Sequence, residues 1–305
     1  MNNFNLYNGE IGLGTWNCDN NCIAQNIESA LDYGYKYIDT AWIYGNQTYI
    51  GKALRNWQIN KIGNTSKNRE SIKVISKIWN NVTSKKEAKI QFEFILKELN
   101  LEYLDICLIH WPFGWKNNII FPNKSYDVVS NIDSRILEVW ESLLELKENG
   151  LIKEIGVSNF GKKYLNLIKD RFQKYPRYNQ LEIHPFNSQL ELRSFCKKNL
   201  INIIGYSPLG SEKSNLLNNE IIKNMSLKYE VEPANILIKW STLNSDITIP
   251  RSNKLKRIKD NFNSRKINFS NLDFNLLENM DINKRVFDAE EWCKYYSIDK
   301  KDFWE

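Results

Sequence analysis

The sequence has few residues of the kinds that bind zinc or form disulfides. Its 305 residues include 5 cysteines and 2 histidines. An odd number of scattered cysteines is typical of free thiols in a reducing compartment, so we expect a cytoplasmic protein without a disulfide framework. Only Cys18 and Cys22 lie close together, and no second cysteine pair completes the ligand spacing of a zinc site. We therefore expect no metal.

Long apolar runs and a strong charge are missing as well. No apolar stretch approaches the about 20 residues that span a bilayer, and the N-terminal residues lack the basic and apolar segments of a signal peptide. The net charge of +6 is mild for this length and lacks the dense basic character of a nucleic-acid binder. We expect neither a membrane nor a nucleic acid as partner. Hydrophobic residues make up 42% of the chain, which is enough for a large core.

The N-terminal segment predicts a hairpin that leads into a first strand. Asn8-Gly9 is a dipeptide typical of a type I′ turn, and apolar residues flank it on both sides. The return strand continues into Gly12-Leu13-Gly14-Thr15-Trp16. Two glycines of a dinucleotide fingerprint are present there, but Asn17 stands at the third position, so a Rossmann fold is not indicated.

Strand and helix patterns then alternate without a break in composition. After the strand at 11–16, the predicted strands are 35–40, 72–76, 104–109, 152–157, 178–183, 201–206 and 248–249. Such alternation is typical of parallel βαβ units, and eight of them in this length favour a closed (β/α)8 TIM barrel over an open doubly wound sheet. We predict a single domain over residues 1–305, to which the N-terminal β-hairpin and a C-terminal helix and tail are added.

Local signals predict several boundaries. Gly34 is placed to end the first helix in the left-handed conformation. The segments 84–87 and 188–191 each have the Ser-x-x-Glu pattern of a capping box. A polar segment that runs through Asn68 and the aromatic-rich segment 113–131 predict long loops.

Four ionisable side chains fall at the ends of neighbouring predicted strands. Asp39, Lys77 and His110 end the second, third and fourth strands, and Tyr44 lies on the loop after the second. Taken singly, each has an ordinary explanation: a helix cap, a half-buried aromatic, a solvated lysine and a hydrogen-bonded core histidine. In a barrel, however, the C-terminal ends of the strands meet at one rim. Their joint placement therefore favours an active site.

This set of side chains suits the reduction of a carbonyl group. A cofactor must supply a hydride, and the developing alkoxide must receive a proton. Tyrosine has an ordinary pKa of about 10, and we expect the Lys77 charge to lower the pKa of Tyr44 and make it a better donor. Asp39 is placed to hold Lys77, and His110 to donate a hydrogen bond to the carbonyl oxygen.

Over almost its whole length, the sequence resembles the aldo-keto reductase family. The matching stretches are 12–16, 39–46, 76–79, 109–112, 156–160, 179–185, 206–210 and 249–252. The resemblance implies a (β/α)8 barrel that reduces an aldehyde or ketone to an alcohol with NADPH. It also places the catalytic tetrad of the family on Asp39, Tyr44, Lys77 and His110, with every residue type kept.

The resemblance further implies the contacts of the cofactor. Ser158, Asn159 and Gln180 would hold the nicotinamide carboxamide, and Tyr206 would stack on the ring. The other implied cofactor-binding residues are Thr15, Trp16, Asp39, Ser207, Leu209, Arg251, Ser252, Arg257 and Asn261. The family usually has lysine at the position of Arg251; arginine keeps the charge and can bind the 2′-phosphate of NADPH through two donors. Without the resemblance, the basic segment 251–259 would be interpreted as a solvated helix start.

Aromatic side chains are expected to form the substrate pocket. The implied substrate contacts are His110 with Trp16, Trp42, Trp79, Trp111 and Phe113, and the loop 113–131 and the C-terminal tail would close over them. An aromatic wall indicates an apolar aldehyde or ketone as substrate. We expect a monomer. Two alternatives stay open at this point: a non-enzymatic NADPH-binding regulatory subunit of the same fold and, more remotely, an unrelated barrel lyase or isomerase.

Overall fold

The computed structural model describes residues 7–59 and 69–304 of the chain. Within these residues, parallel strands close into a barrel in which each strand pairs with its sequence neighbours and the last pairs with the first. The strands are β1 (Glu10–Gly14), β2 (Tyr37–Asp39), β3 (Lys73–Ile78), β4 (Leu104–Ile109), β5 (Ile152–Ser158), β6 (Tyr178–Glu182), β7 (Asn202–Tyr206) and β8 (Ile247–Ile249). The predicted (β/α)8 architecture is confirmed.

Helices alternate with these strands and surround them. They are α1 (Ile23–Tyr33), α2 (Gln47–Ile59), α3 (Lys85–Leu99), α4 (Ile132–Glu148), α5 (Lys162–Phe172), α6 (Leu190–Lys198), α7 (Ser211–Ser214), α8 (Glu220–Tyr229), α9 (Pro233–Thr242), α10 (Leu255–Asn263), α11 (Asn271–Glu278), α12 (Glu290–Tyr295) and α13 (Lys300–Trp304). The tail thus adds two short helices, α12 and α13, to the one that the sequence predicts. Among the described helices, none has the length and apolar character that crossing a membrane requires.

Two apolar layers lie on the two sides of the strands. Successive residues of a strand face opposite sides of the sheet, so Ile75 and Lys77 share one face and Val74 lies on the other. A separate small cluster on the inner face consists of Ile75, Ile106, Leu108, Ile204, Ile247 and Ile249. The main core, which includes Val74, packs the outer faces against the helices. Because Ile75 precedes Lys77 by two positions, the inner apolar layer lies next to the polar strand ends.

The predicted signals at α1 and α3 are found in the structure. Gly34 ends α1 with a φ of 100°. The Ser84 hydroxyl accepts a hydrogen bond from the Glu87 N–H at the start of α3. The carboxylate of Glu87 turns back as a capping box requires, but it accepts from the N–H of Thr83 instead of Ser84. These local contacts fix where both helices begin or end.

The capping box predicted at the start of α6 is wrong. The Ser188 hydroxyl donates to the Asp281 carboxylate of the tail. Gln189 occupies the cap position in the left-handed conformation and makes no side-chain cap hydrogen bond. A tertiary partner from a distant segment therefore replaces the local contact that the sequence pattern predicts.

The N-terminal hairpin is not formed as predicted. β1 pairs with β2 on one edge and with β8 on the other, so it has no free edge for an antiparallel partner. The N–H groups of Tyr7 and Gly9 instead donate to the carbonyls of Leu243 and Thr242, at 3.1 and 2.9 Å. Neither Asn8 nor Gly9 has the positive φ of a type I′ turn. The start of the expected first arm, up to Leu6, and most of the predicted polar loop through residue 68 lie outside the described residues.

Candidate active site

Three of the four predicted catalytic side chains meet at the C-terminal rim of the barrel. The Lys77 Nζ lies 2.8 and 3.0 Å from the two carboxylate oxygens of Asp39 and 3.3 Å from the Tyr44 Oη. It also donates to the carbonyl of Thr40 at 2.7 Å. The fourth, His110, follows β4, and its ring centroid lies 5.8 Å from that of Tyr44. Neighbouring parallel strands thus bring the set together.

The Asp39–Lys77 pair is buried. Their exposed fractions are 2% and 0%. Burial raises the pKa of Asp39 and lowers that of Lys77, and the charge of each partner opposes the shift of the other. The Gln180 Nε2 donates a further hydrogen bond of 2.7 Å to Asp39. A buried ion pair needs such additional partners, because the attraction between the charges alone does not offset their desolvation.

The expected effect of Lys77 on Tyr44 is corrected by the structure. The pKa of Tyr44 is raised well above its usual value, first because the phenol is buried and then because Asp39 and Tyr206 lie nearby. Desolvation of a phenolate outweighs a single lysine contact that is itself occupied by a carboxylate. Tyr44 is therefore held in its protonated form, with its oxygen accepting a hydrogen bond from Lys77.

His110 is held as a neutral imidazole. Burial and the charges of Lys77 and Arg135 lower its pKa well below the usual value. Its main chain is fixed at both ends, since its N–H donates to Ile78 and its carbonyl accepts from the Asn159 side chain at 3.1 Å. The Nδ1 of the ring is buried without a hydrogen-bond partner among the described residues.

A hydrogen-bond network joins this centre to the predicted nicotinamide contacts. The Asn159 Nδ2 donates to the Ser158 Oγ as well as to the His110 carbonyl, both at 3.1 Å. The Tyr206 hydroxyl donates to the Asn159 Oδ1 at 2.8 Å, and the Ser158 hydroxyl to the Gln180 carbonyl at 3.2 Å. The polar ends of β5, β6 and β7 are thus linked to one another and, through Gln180, to Asp39.

Thr15 and Trp16 lie on the loop after β1 and differ in exposure. Thr15 is fully buried, and its hydroxyl donates to the Asp39 carbonyl at 2.8 Å. The Asn46 side chain donates to the Thr15 carbonyl at the same distance. Trp16 is 47% exposed, and its ring centroid lies 4.9 Å from that of Tyr44. Thr15 therefore supports the position of Asp39, while Trp16 is accessible at the rim.

Two of the predicted phosphate contacts, Arg251 and Ser252, follow the end of β8. Gly14 bonds to the Pro250 carbonyl at 3.0 Å and forms a bridge with Arg251. A Cβ at Gly14 would lie 2.8 Å from the Ile249 carbonyl oxygen, so glycine is needed for this close approach. Arg251 is exposed and donates to the Asn17 carbonyl at 2.9 Å, and the next residue, Ser252, is buried.

The remaining predicted cofactor residues follow β7 and lie on α10. Ser207 and Leu209 are half-buried on the loop after β7, and Ser207 has a φ of 50°. Arg257 is exposed on α10, and Asn261 on the same helix is buried. The cap residue of α10, Lys254, makes no side-chain cap hydrogen bond, which leaves the helix N-terminus with backbone N–H groups of the kind that bind anions.

Trp79, a predicted substrate contact, packs against His110. Their ring centroids are 5.0 Å apart in an edge-to-face arrangement. The Trp79 Nε1 donates to the Ile120 carbonyl at 2.9 Å, and its ring contacts Phe121 at 5.5 Å, so the loop after β4 folds back over it. Trp42, by contrast, is half-buried against the main core.

The C-terminal tail covers the other side of this wall. The ring of Trp292 lies 5.2 Å from Trp111 and 5.7 Å from Phe113. Phe113 itself is fully buried and stacks on Phe303 at 4.5 Å and on Trp115 at 5.8 Å. The predicted contact of Phe113 with substrate is thus corrected, because tail aromatics enclose the ring completely. Phe113 supports Trp111 from behind.

Sequence reasoning missed the residue that fastens the tail to the barrel. The Glu182 carboxylate at the end of β6 accepts the N–H groups of Val286 and Phe287, at 2.7 and 2.8 Å, and contacts His184 at 2.9 Å. The Phe287 ring then lies 5.9 Å from the ring of Tyr206. The available signal in the sequence was an acidic residue inside a strand that is otherwise buried, because a buried carboxylate needs hydrogen-bond donors.

Known proteins resemble this chain in sequence and in structure. The Aldo/keto reductase family matches residues 10–282. Aldose reductase B of Dictyostelium discoideum is 36% identical over 293 residues, which cover 93% of this chain and 92% of that protein. The aldose reductase structure from Schistosoma japonicum has a TM-score of 0.83 at 30% identity, with 92% and 91% of the two chains covered. That from Giardia lamblia has a TM-score of 0.86 at 27% identity, with 96% and 98% covered.

Barrel, strand-end site and relatives together define the class of protein, a (β/α)8 oxidoreductase. The chain belongs to the aldo/keto reductase family. The resemblance noted in the sequence is thereby confirmed, and it supports an oxidoreductase.

Proposed function

We propose that the protein reduces an aldehyde or ketone to an alcohol, with NADPH as hydride source and Tyr44 as proton donor. The observation that carries this proposal is the position of the Lys77 ammonium, 2.8 Å from the Asp39 carboxylate and 3.3 Å from the Tyr44 oxygen. The group lies at the rim where barrel enzymes carry out their chemistry. His110 lies beside it, where its ring is placed to donate a hydrogen bond to a carbonyl oxygen.

The residues beside this centre fit a nicotinamide cofactor with a 2′-phosphate. Asn159 and Gln180 carry the amide groups that suit a carboxamide, and both are buried at strand ends. Arg251 and Arg257 are exposed near the N-terminus of α10, which has no side-chain cap. Guanidinium and helix N–H groups are typical phosphate ligands. When bound, the reduced nicotinamide supplies a hydride.

Tyr44 is suited to hold a proton until an alkoxide forms. Its raised pKa keeps the phenol protonated, and an alkoxide is a stronger base than a phenolate. Lys77 already donates a hydrogen bond to the phenol oxygen, so its charge stabilises that oxygen as the proton leaves. Asp39 keeps the ammonium group in this orientation.

His110 is suited to orient the carbonyl group. Because its pKa is lowered, the ring is a neutral hydrogen-bond donor and does not compete with Tyr44 as an acid. Trp16, Trp79 and Trp111 are placed to provide the apolar surface that holds the rest of the substrate and excludes water.

We also infer that residues 1–305 act as one domain, as a monomer and in the cytoplasm. The continuous closure of the barrel from β1 to β8 supports a single domain. All five cysteines are free thiols, and Cys107, Cys196 and Cys293 are buried, which suits a reducing compartment. Size-exclusion chromatography with light scattering tests the monomer.

The test of the function is a turnover assay with purified protein, NADPH and a panel of aromatic and aliphatic aldehydes. We expect oxidation of NADPH that depends on the aldehyde and yields the alcohol, with NADPH preferred to NADH. Tight binding of NADPH without turnover of any member of the panel would contradict the proposal. That outcome would favour the non-enzymatic regulatory subunit.

A further inference from the structure

Arg135 is a buried arginine in the first turns of α4. Its exposed fraction is 2%, and its guanidinium points into the gap between the loops that follow β3 and β4. These two loops carry Trp79, His110 and Trp111. Within the part of the chain that the structure describes, Arg135 makes no hydrogen bond or ion pair with the Asp39–Lys77 pair or with the predicted cofactor residues.

The guanidinium binds main-chain carbonyls of both loops. Its Nη2 donates to the Trp79 carbonyl at 3.1 Å and its Nε to the Val82 carbonyl at 2.9 Å, both after β3. Its Nη1 donates to the Trp111 carbonyl at 3.1 Å, after β4. A planar group with a fixed fork of donors therefore sets the distance between the two loops.

The charge of Arg135 has no carboxylate partner within ion-pair distance among the described residues. An unpaired charge inside a protein is costly, and here three carbonyl dipoles compensate it. Arg193 on α6 offers a contrast, because it is also buried but pairs with Glu278 at 3.1 Å. The site of Arg135 therefore uses arginine for its reach and its number of donors, and not for an ion pair.

The aliphatic stem of Arg135 packs on Gly114, which in turn binds the tail. A Cβ at Gly114 would lie 3.2 Å from the Arg135 Cγ, so the stem packs directly on this glycine. The Gly114 N–H donates to the Tyr296 hydroxyl at 3.1 Å, and that hydroxyl donates to the Gly114 carbonyl. Both pocket loops thus contact Arg135, and the tail binds the main chain of Gly114, on which the Arg135 stem packs.

We propose that Arg135 is a positioning residue for the carbonyl substrate, which acts by holding Trp79 and Trp111, the chain neighbour of His110, at a fixed separation through their main-chain carbonyls. The inference rests on the proposed function, since it assigns substrate contact to these three residues. It adds to that function a residue that touches neither substrate nor cofactor. A misplacement of about 1 Å in such a wall can cost about 100-fold in rate.

The charge of Arg135 also affects the protonation of His110. His110 faces Lys77 from β3, Tyr44 from the loop after β2 and Arg135 from α4. The positive charges of Lys77 and Arg135 add to burial in lowering the pKa of His110. Arg135 thereby supports the neutral donor state of the ring that it also helps to place.

The kinetic test compares Arg135→Met with Arg193→Met. Both variants remove a buried guanidinium and keep an apolar stem, but Arg193 donates to Ser188, Asn244 and Glu278, which lie outside the two pocket loops. We expect Arg135→Met to lower kcat/KM for an aromatic aldehyde about 10- to 100-fold, with the Kd of NADPH within about twofold of the parent. Arg193→Met should lower thermal stability and leave both values at the parental level. A folded Arg135→Met with parental kcat/KM would overturn the proposal.

Hydrogen exchange provides a readout that does not depend on turnover. In Arg135→Met we expect about 10-fold faster amide exchange in segments 79–83 and 111–116, and parental exchange in 156–161 at the cofactor side. Arg135→Lys, which keeps the charge but lacks the fork, should show the same selective rise at smaller size. Arg135→Lys also tests the proposal if Arg135→Met fails to fold. Parental exchange in the two segments of Arg135→Lys would overturn the proposal, whereas an inactive parent with the selective rise would count against the proposed function alone.

Discussion

The two sides of the barrel mouth are built in different ways. On the proposed cofactor side, Ser158, Asn159, Gln180 and Tyr206 lie on neighbouring strands or directly after them and bind one another by hydrogen bonds. On the proposed substrate side, the residues lie on loops and on the tail, and many of their contacts are between aromatic rings. Trp292, for example, packs on Trp79, Trp111, Phe113 and Trp115, which are far from it in sequence.

This difference separates the reaction from the choice of substrate. Strand ends are fixed by the pairing of the barrel, so a polar residue there keeps its position whatever the loops do. Loops and tail lie outside the strand pairing, so their packing and hydrogen bonds can change without disturbing the barrel. The Asp39–Lys77–Tyr44 group lies on the seam between the two sides. Changes to each side should therefore have separable effects.

The largest effect is expected at the seam, from Lys77→Met. Loss of the ammonium leaves the buried Asp39 without its counter-ion, and we expect about 3–5 kcal/mol less stability in urea unfolding. Turnover should fall at least about 100-fold, because Tyr44 loses its hydrogen-bond donor. The double variant Asp39→Asn/Lys77→Met should regain much of the stability but none of the activity. Unchanged unfolding of Lys77→Met would show that the pair is not buried as described.

On the cofactor side, Arg251→Leu tests the phosphate contact. Loss of one charge-assisted hydrogen bond should raise the KM for NADPH about 10- to 100-fold and leave the KM for the aldehyde unchanged. NADH lacks the 2′-phosphate, so its KM should stay at the parental value. Lys256→Leu is the control on α10, because that lysine pairs with Asp260 at 3.1 Å. An equal loss with NADH and NADPH would contradict a role at the phosphate.

The protonation of His110 gives a pH-dependent prediction. Its pKa is lowered in the folded protein, whereas in the unfolded chain it is near the usual 6.5. The unfolded chain therefore takes up a proton below about pH 6.5 that the folded protein does not, and stability falls as pH decreases. His110→Asn should remove up to about 1.4 kcal/mol per pH unit of this slope, measured by urea unfolding between about pH 5 and 7. An identical slope in both proteins would mean that the fold does not lower the pKa of His110.

On the substrate side, Trp292→Ala is expected to have the smallest effect. The variant removes several ring contacts behind Trp79 and Trp111, and aromatic pairs of this kind are worth about 2- to 10-fold each. We expect a loss of this size in kcat/KM for bulky aromatic aldehydes and little change for small aliphatic ones or for NADPH. Tyr295→Ala, the neighbouring change on α12, serves as control. A rise in the KM for NADPH would contradict the prediction that changes to the two sides have separable effects.

Sequence patterns predicted the positions of the strand ends better than those of the loops and the tail. The alternation of strands and helices was enough to place Asp39, Lys77 and His110 at one rim, because parallel pairing fixes where strand ends lie. The same reasoning failed at β1, whose two edges are both taken by barrel strands. It also failed at Ser188, whose hydroxyl binds Asp281 of the tail. Both errors arise where a tertiary contact replaces a local one.

The substrate side depends on contacts between distant segments, which a single sequence does not show. Phe113 was expected in the pocket because it follows Trp111, but the tail encloses it. Arg135 gave no signal, since nothing in α4 indicates that its side chain reaches the loops after β3 and β4. The direction of the Tyr44 pKa was also wrong, because the degree of burial is a property of the folded chain.

The central claim is that Tyr44 supplies the proton. The direct measurement is kcat of Tyr44→Phe with NADPH and an aromatic aldehyde, together with the Kd of NADPH. We predict a fall in kcat of about 100- to 10,000-fold with the Kd within about threefold, while Tyr178→Phe inside the barrel stays at the parental rate. Near-parental turnover of Tyr44→Phe on the aldehydes that the parent reduces would contradict the account.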